Sequence, residues 1–422
     1  MRICIVSPGA IGSNPRVVKE ADALAEVGHD VTVIATRTLD CVDPLDEAVL
    51  ANATWRAQRL DFRSRGIGWR CRRASQIAQQ AAFSLIGWDG FAERAVSPFT
   101  APLIAATKTV AADLYVAHYP AALPAAAIAA RMNDARHAYD AEDFHLGDWP
   151  DGPDNEPKRR VVRAIEGRYL QNCAYVTAAS PGIADAYAKT YGVARPTVML
   201  NVFPRAQAPA APTPAGTAAP GPSVYWFSQT IGADRGLETA VKAIGRARTK
   251  PHLYLRGNPA AGAVERLTSI AAEVGATDRL HILGSESPLD MVRLASAYDA
   301  GLSSEIGHTL NRGIALNNKL FTYILAGVPV LLSDIPAHRA LAALAGNAVR
   351  VYTTEDDSSL AGAMDGLIGA PRTLADARVA AFQLGQTHFN WDLEKKSLYR
   401  LVATAVKDSN RKCTSAPFEA GR

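Results

Sequence analysis

The chain has little of what would declare a function at first sight. Cysteine is scarce: Cys4, Cys41, Cys71, Cys173 and Cys413 are five, odd in number and scattered. No C-x-x-C pair occurs, so neither a zinc site nor a disulfide framework is indicated, and a reduced cytosol is the expected setting. No apolar run reaches the roughly 20 residues of a membrane-spanning helix. Met1-Arg2 leads straight into a short apolar strand, with no signal-peptide core. Charge of one sign is also lacking: 45 Lys and Arg face 41 Asp and Glu, a net of +4. That balance gives no reason to expect a nucleic-acid partner. No Asp-x-Asp metal motif stands in a convincing loop, and no His/Cys cluster has ligand spacing.

What is present is the make-up of a folded protein, 48% apolar and 20% charged. At 422 residues one ordinary core is exceeded, so two domains are expected. Strand 2–6, a Gly-rich loop 7–14, a helix opening at Pro15 and closed by Gly28, and strand 31–35 form a doubly wound start. Strands are expected at 114–117, 137–139, 175–178 and 198–200, with helices at 120–131, 157–171 and 181–191. Residues 204–222 are rich in Pro and Ala, a linker composition. The alternation then restarts: strands 225–228, 252–255, 280–283 and 300–303, helices 237–247, 261–274 and 288–297. The expected division is 1–203, linker 204–222, 223–390, a last helix 391–406 and a frayed tail 407–422.

The most informative stretch is 317–336, Asn-Asn-Lys-Leu-Phe-Thr-Tyr-Ile-Leu-Ala-Gly-Val-Pro-Val-Leu-Leu-Ser-Asp-Ile-Pro. An amphipathic helix ends at Gly327 and a buried apolar strand follows. Lys319 beside Asn317 and Asn318 puts a cation at a helix start, a place for an anion. This stretch resembles the nucleotide-sugar segment of GT-B glycosyltransferases, in particular glycosyltransferase family 4, where it commonly reads NKLFEYLAAGVPVLASDIP. The resemblance implies two Rossmann-like α/β domains with a cleft between them and a last helix crossing back to the first. It further implies sugar transfer with retention, the nucleotide-sugar donor on the second half and the acceptor on the first.

The leaving group of such a reaction is a nucleoside diphosphate, and fixed cations stabilise the charge that grows on it. The stretch 225–236, Tyr-Trp-Phe-Ser-Gln-Thr-Ile-Gly-Ala-Asp-Arg-Gly, resembles the family's strand followed by Gly-Arg…Glu-Lys-Gly, whose Arg and Lys grip the diphosphate. Gln229 stands in place of that Arg and Arg235 in place of that Lys, so one cation of the pair is missing and Lys319 is a candidate substitute. Read from the residues alone, Arg235 and Lys319 are either phosphate ligands or solvated helix starts. The family's paired Glu residues are also absent: Ile314 and Thr322 occupy their positions. Thr322 retains a hydroxyl for the donor, without charge assistance. Glu305 lies upstream in a segment several residues longer than usual, and either reaches the donor or is a surface acid.

In the opening loop, Gly12, Asn14 and Arg16 are candidates for touching donor phosphate or acceptor. The alternative is that Gly9 and Gly12 only make the turn. The loop is not G-x-G-x-x-G, so a dinucleotide cofactor is not supported. On the acceptor side, His118 follows one strand and Asp140-Ala141-Glu142-Asp143 another, both at carboxyl ends where α/β sheets bind ligands. Tyr139–Asp143 resembles the family's YDAHE, with Glu142 where the His stands. Asp140, Glu142 and His118 are the expected catalytic or acceptor-orienting groups; an acidic run after a strand is alternatively a solvated cap.

Between Arg56 and Arg73 lie seven arginines against Asp61, with Trp55 and Trp69 among them. This is either a solvated basic face or a peripheral contact with an anionic membrane, at its cytoplasmic side. The expected partners are a nucleotide-sugar donor and a saccharide or lipid-linked acceptor; no metal or other cofactor is expected, since protein cations can hold the diphosphate. Two other readings stay open, a GT-B binding protein that has lost catalysis with its acidic pair and a sugar-nucleotide epimerase.

Overall fold

A computed structural model describes residues 1–64, 66–214, 217 and 221–414, apart from the side chains of Asp89 and of 406–414. Arg65, part of the expected linker (215, 216 and 218–220) and the end of the expected tail (415–422) lie outside the described residues. The chain forms two units, Met1–Met199 with the segment from Lys395 onward, and Leu200–Glu394.

The first unit is built on β1 (Arg2–Val6), β2 (Asp30–Arg37), β3 (Arg56–Asp61), β4 (Leu114–His118), β5 (Arg136–Ala141), β6 (Val176–Ala178) and β7 (Thr197–Val198). All pair in parallel, in the order β3-β2-β1-β4-β5-β6-β7. Strands covered by helices on both faces need continuous apolar runs, and Ile3 to Val6 and Leu114 to Ala117 are fully buried. The chain reverses its direction of winding between β1 and β4, which puts a crevice at their carboxyl ends. Helix Pro15–Glu26 starts there, with Pro at its first position and the Asn14 side chain accepting from Val17 N at 3.2 Å.

The second unit holds β8 (Ser223–Ile231), β9 (His252–Pro259), β10 (Leu280–Leu283), β11 (Ala300–Ser303), β12 (Val330–Ser333) and β13 (Val349–Tyr352), again all parallel, in the order β10-β9-β8-β11-β12-β13. Its switch point lies between β8 and β11. On one face the helices Leu237–Arg246 and Asp357–Ile368 bury Leu237, Val241, Ile244, Leu360, Met364 and Leu367 against Val224, Trp226, Leu253 and Leu302. Tyr323, from helix Asn318–Leu325, sets its ring edge-on against Phe227 at 5.5 Å, fixing that helix over β8.

Several elements differ from expectation. β3 was not anticipated because four of its six residues are Arg, Gln or Asp; as an edge strand it pairs with β2 alone and buries little. The Pro/Ala-rich segment is fastened where it is described: Arg378 donates to Thr213 O at 2.7 Å, and Thr213 Oγ1 donates to Ser296 O at 2.9 Å. The last helix runs Trp391–Thr414, past the boundary expected at 406. Among the described residues no helix is long and apolar enough to cross a membrane.

Candidate functional site

Each switch point carries a cluster of charged side chains, and the two clusters differ in kind. In the first unit Arg16 enters from the first turn of its helix and is buried. Its Nε and Nη2 donate to Asp140 Oδ2 and Oδ1 at 2.5 and 2.7 Å, and its Nη1 donates to Met199 O at 2.7 Å. Thr177 Oγ1 donates to Asp140 Oδ1 at 2.5 Å. His118, fully buried at the end of β4, stands between two carboxylates: Nε2 is 2.7 Å from Glu20 Oε2 and Nδ1 is 3.2 Å from Asp140 Oδ2. Burial disfavours the imidazolium, but bonding to Asp140 and Glu20 outweighs this and raises its pKa to about 10. Asp140 is held far below the usual carboxylate range, since the Arg16 charge and the bonds from Arg16 and His118 overcome the burial that opposes them. A carboxylate so engaged is a poor proton acceptor, and the geometry gives Asp140 and His118 the role of holding the loops in place.

Arg16 is equally committed, which differs from its expected role at a phosphate. Gly12 differs likewise: its N–H donates to the buried Asp46 Oδ1 at 2.7 Å, and a Cβ there would stand 2.6 Å from Leu45 C. Helix Asp43–Leu50 packs so closely on the loop that only glycine fits, so packing accounts for this residue. Asn14 is spent as the helix cap.

Glu142, hydrogen-bonded to Tyr119, is the less engaged acid. Its Oε2 is buried without a hydrogen-bond partner, and burial raises its pKa. Tyr119, on which Glu142 acts, takes φ +66°, a left-handed conformation that non-glycine residues rarely adopt. Its ring lies 5.7 Å from that of His145, whose Nδ1 is 3.1 Å from Asp148 Oδ2 and whose Nε2 is buried and unpartnered. Burial works against the His145 imidazolium, yet Asp148 raises its pKa to about 9. Tyr119 and His145 were not foreseen; nothing in the local sequence signals the strained backbone of the one or the orphaned nitrogen of the other.

In the second unit the segment after β11 carries Glu305, buried rather than on the surface. Lys319 Nζ donates to its Oε1 at 3.0 Å, Asn317 Nδ2 to the same oxygen at 3.1 Å, and Arg312 Nη1 to Oε2 at 3.2 Å. These cations pull Glu305 down to about 2, Lys319 most strongly, against the burial that opposes them. Lys319, with 4% of its surface exposed, also lies 5.0 Å from the Trp226 ring centroid. Arg235 follows β8. Its carbonyl accepts from Ser304 Oγ at 2.6 Å, and a Cβ on the next residue, Gly236 at φ +65°, would stand 2.4 Å from Ser304 O. The glycine thus lets the Arg235 loop close onto the residue next to Glu305. Among the described residues the Arg235 guanidinium has no hydrogen-bonded or ion-paired acceptor. Its pKa is lowered, by burial first and then by the like charge of Arg312, with Glu305 and Asp234 acting in the opposite direction.

The remaining expected donor residues are placed as follows. Asn318 is the first residue of helix Asn318–Leu325, capped by the Asn317 side chain, which accepts from Leu320 N at 3.4 Å. Gln229 is exposed on β8. Thr322 is fully buried and donates its hydroxyl to Asn318 O at 3.0 Å; it is spent inside its own helix and not presented to a ligand. Arg312 was missed, because it lies in the extra segment outside the recognisable motif. Among the described residues no group of three His, Cys, Asp or Glu side chains could hold a metal ion.

Residues 12–202 match the family model of the glycosyl transferase 4-like domain. No curated protein matches the chain. Among solved structures it is similar to HepE of Anabaena in complex with UDP, at 15% identity and TM-score 0.71, covering 96% of this chain and 100% of that one. It is also similar to sucrose-phosphate synthase of Thermosynechococcus elongatus, at 14% identity and TM-score 0.70, covering 97% and 100%. WaaG, a glycosyltransferase of lipopolysaccharide biosynthesis, aligns at 12% identity and TM-score 0.59, covering 94% and 98%. At these identities the likeness establishes the fold: two Rossmann-like α/β units of the GT-B type.

Proposed function

We propose that this family 4-type protein moves a sugar from a nucleotide-sugar donor to an acceptor hydroxyl, with the donor on the second unit and the acceptor on the first. The observation that carries this reading is Arg235, a half-buried guanidinium without an acceptor at the switch point of the second sheet. An unpaired buried cation is costly unless a ligand supplies the counter-charge. As the bond from sugar to diphosphate breaks, charge accumulates on the phosphate oxygens, and cations already fixed in place stabilise it without reorganising. Glu142, beside the strained Tyr119, is the acid we assign to the acceptor hydroxyl.

Retention of configuration, a hexosyl donor, a saccharide or lipid-linked acceptor, a role in surface polysaccharide or glycoconjugate synthesis and a cytoplasmic location complete the proposal. With protein cations on the diphosphate, transfer is expected to persist in a chelator. Any lipid contact is better placed on helix Ile67–Ile86, which carries Arg70, Arg72 and Arg73, than on the arginines that precede it. Arg56, Arg59 and Arg63 are paired with Asp30, Glu47 and Asp61, and Trp55 is buried with its Nε1 donating to Asp22 Oδ1 at 2.7 Å. Ile67 and Leu85 are instead 81% and 86% exposed.

The test is a turnover assay over a panel of nucleotide sugars and acceptor extracts, with hydrolysis and epimerisation read in parallel. Acceptor-dependent release of nucleoside diphosphate supports transfer. Binding without turnover would instead favour a binding protein, a reading that the buried, self-bonded Thr322 in place of an acid makes specific. Turnover of the donor without any acceptor would favour an epimerase.

A further inference from the structure

We propose that Arg312, on the extra segment between β11 and helix Asn318–Leu325, supplies the second diphosphate-gripping cation, and that Lys319 does not. The inference rests on the donor reading above and names the residue that completes its site. Three cations face one carboxylate here. Lys319 and Glu305 are both buried and joined at 3.0 Å, so their charges cancel. Lys319 is further covered by the Trp226 ring, and burial lowers its pKa. Two positive charges are then left over, on Arg235 and Arg312.

Arg312 differs from Lys319 in being available. Its side chain is 35% exposed, and one nitrogen, Nη1, is held by Glu305 at 3.2 Å. Among the described residues no acceptor meets its Nε or Nη2. A guanidinium aimed by one carboxylate, with an open edge, is suited to take phosphate oxygens in a forked pair of bonds. The backbone that carries it is fixed. Thr309 caps the short helix Leu310–Ile314 through its Oγ1, which accepts from Arg312 N at 3.3 Å, and Asn311 is buried. Arg235 reaches the same place from the other side, since Ser304, adjacent to Glu305, bonds to its carbonyl. The two guanidiniums act on each other as like charges, and a terminal phosphate of about two negative charges would relieve both. Gln229, where a cation is missing, lies on β8 ahead of this pair; the longer segment after β11 restores the lost charge from a different part of the chain. Lys319 is on this account a positioning residue, which pins Glu305 so that Glu305 can aim Arg312.

The experiment is calorimetric titration of UDP, GDP and ADP, and of their monophosphates, into the full-length protein and its variants Arg312→Gln, Arg312→Lys and Lys319→Gln. The expected result for Arg312→Gln is a loss of about tenfold or more in affinity for the diphosphate that binds, with its monophosphate changed less than about threefold and the melting temperature unmoved. Arg312→Lys should be intermediate, a point charge in place of a fork. Lys319→Gln should lower the melting temperature more clearly than Arg312→Gln does. Diphosphate affinity unchanged within twofold in Arg312→Gln overturns the assignment and leaves the donor reading standing. Should Arg312→Gln fail to fold, Arg312→Lys decides between the same outcomes. If none of the three diphosphates binds the unaltered protein, the donor reading and this assignment fall together.

Discussion

The two switch points place similar residue types in similar positions and use them oppositely. In the first unit Arg16, His118, Asp140 and Glu20 are two cations and two acids, each touching another, with Thr177 and the Met199 carbonyl taking up further bonds. In the second, Arg235, Arg312 and Lys319 are three cations around Glu305, with Asp234 acting on Arg235 as one further acid. A balanced buried network has no counter-charge to seek, and its effect is to fix the loops that bear it. An unbalanced one is costly until a ligand of opposite sign arrives. Charged side chains near a cleft therefore do not mark a binding site by themselves; the surplus does.

The largest expected effect comes from breaking the balanced side. Asp140→Ala would leave Arg16 buried and unpaired, at a cost of about 3–5 kcal/mol. Urea denaturation should show it as a large fall in midpoint, and a shift within error would mean that the network contributes nothing. On the unbalanced side Arg235→Gln should leave stability nearly unchanged and weaken nucleoside diphosphate binding by roughly ten- to a hundredfold, the worth of a charge-assisted bond. A fall in melting temperature with affinity intact would reverse the roles drawn here.

His118 gives the comparison a pH dependence. Its pKa is raised from 6.5 to about 10, so its charged pairing contributes stability that is complete below about pH 6.5 and lost as pH rises toward 10. The stability difference between the unaltered protein and His118→Asn should accordingly be greatest in mildly acid solution and shrink on the alkaline side; a difference constant from pH 6 to 10 would show that the imidazole is neutral throughout. The smallest effect is expected from Gln229→Arg, which returns a cation to exposed β8. A gain of about two- to threefold in diphosphate affinity would show that the site still accepts charge from that direction, and no gain that Arg312 has taken the place over.

The sequence made much of this legible. Apolar runs marked the central strands because burial on both faces demands them, and the Gly-bounded stretch 317–336 marked the helix and strand that follow β11. β3 and helix Ile67–Ile86 escaped, since edge and surface elements carry too few apolar residues to show a period. Residue types at the site were visible, but their commitments were not. Arg16 and Arg235 both follow glycine-containing loops at helix starts; only three-dimensional pairing tells that one is consumed by Asp140 and the other has no acceptor. Nor does chain order show that Thr322 turns its hydroxyl back on its own helix, or that Gly12 gives its N–H to Asp46, 34 residues away.

The most direct measurement is a calorimetric comparison of nucleoside, monophosphate and diphosphate for each base with the unaltered protein. The surplus of positive charge after β11 predicts that affinity rises at least tenfold from monophosphate to diphosphate for the base that binds. Equal affinity for the two, or binding by the nucleoside alone, would contradict it.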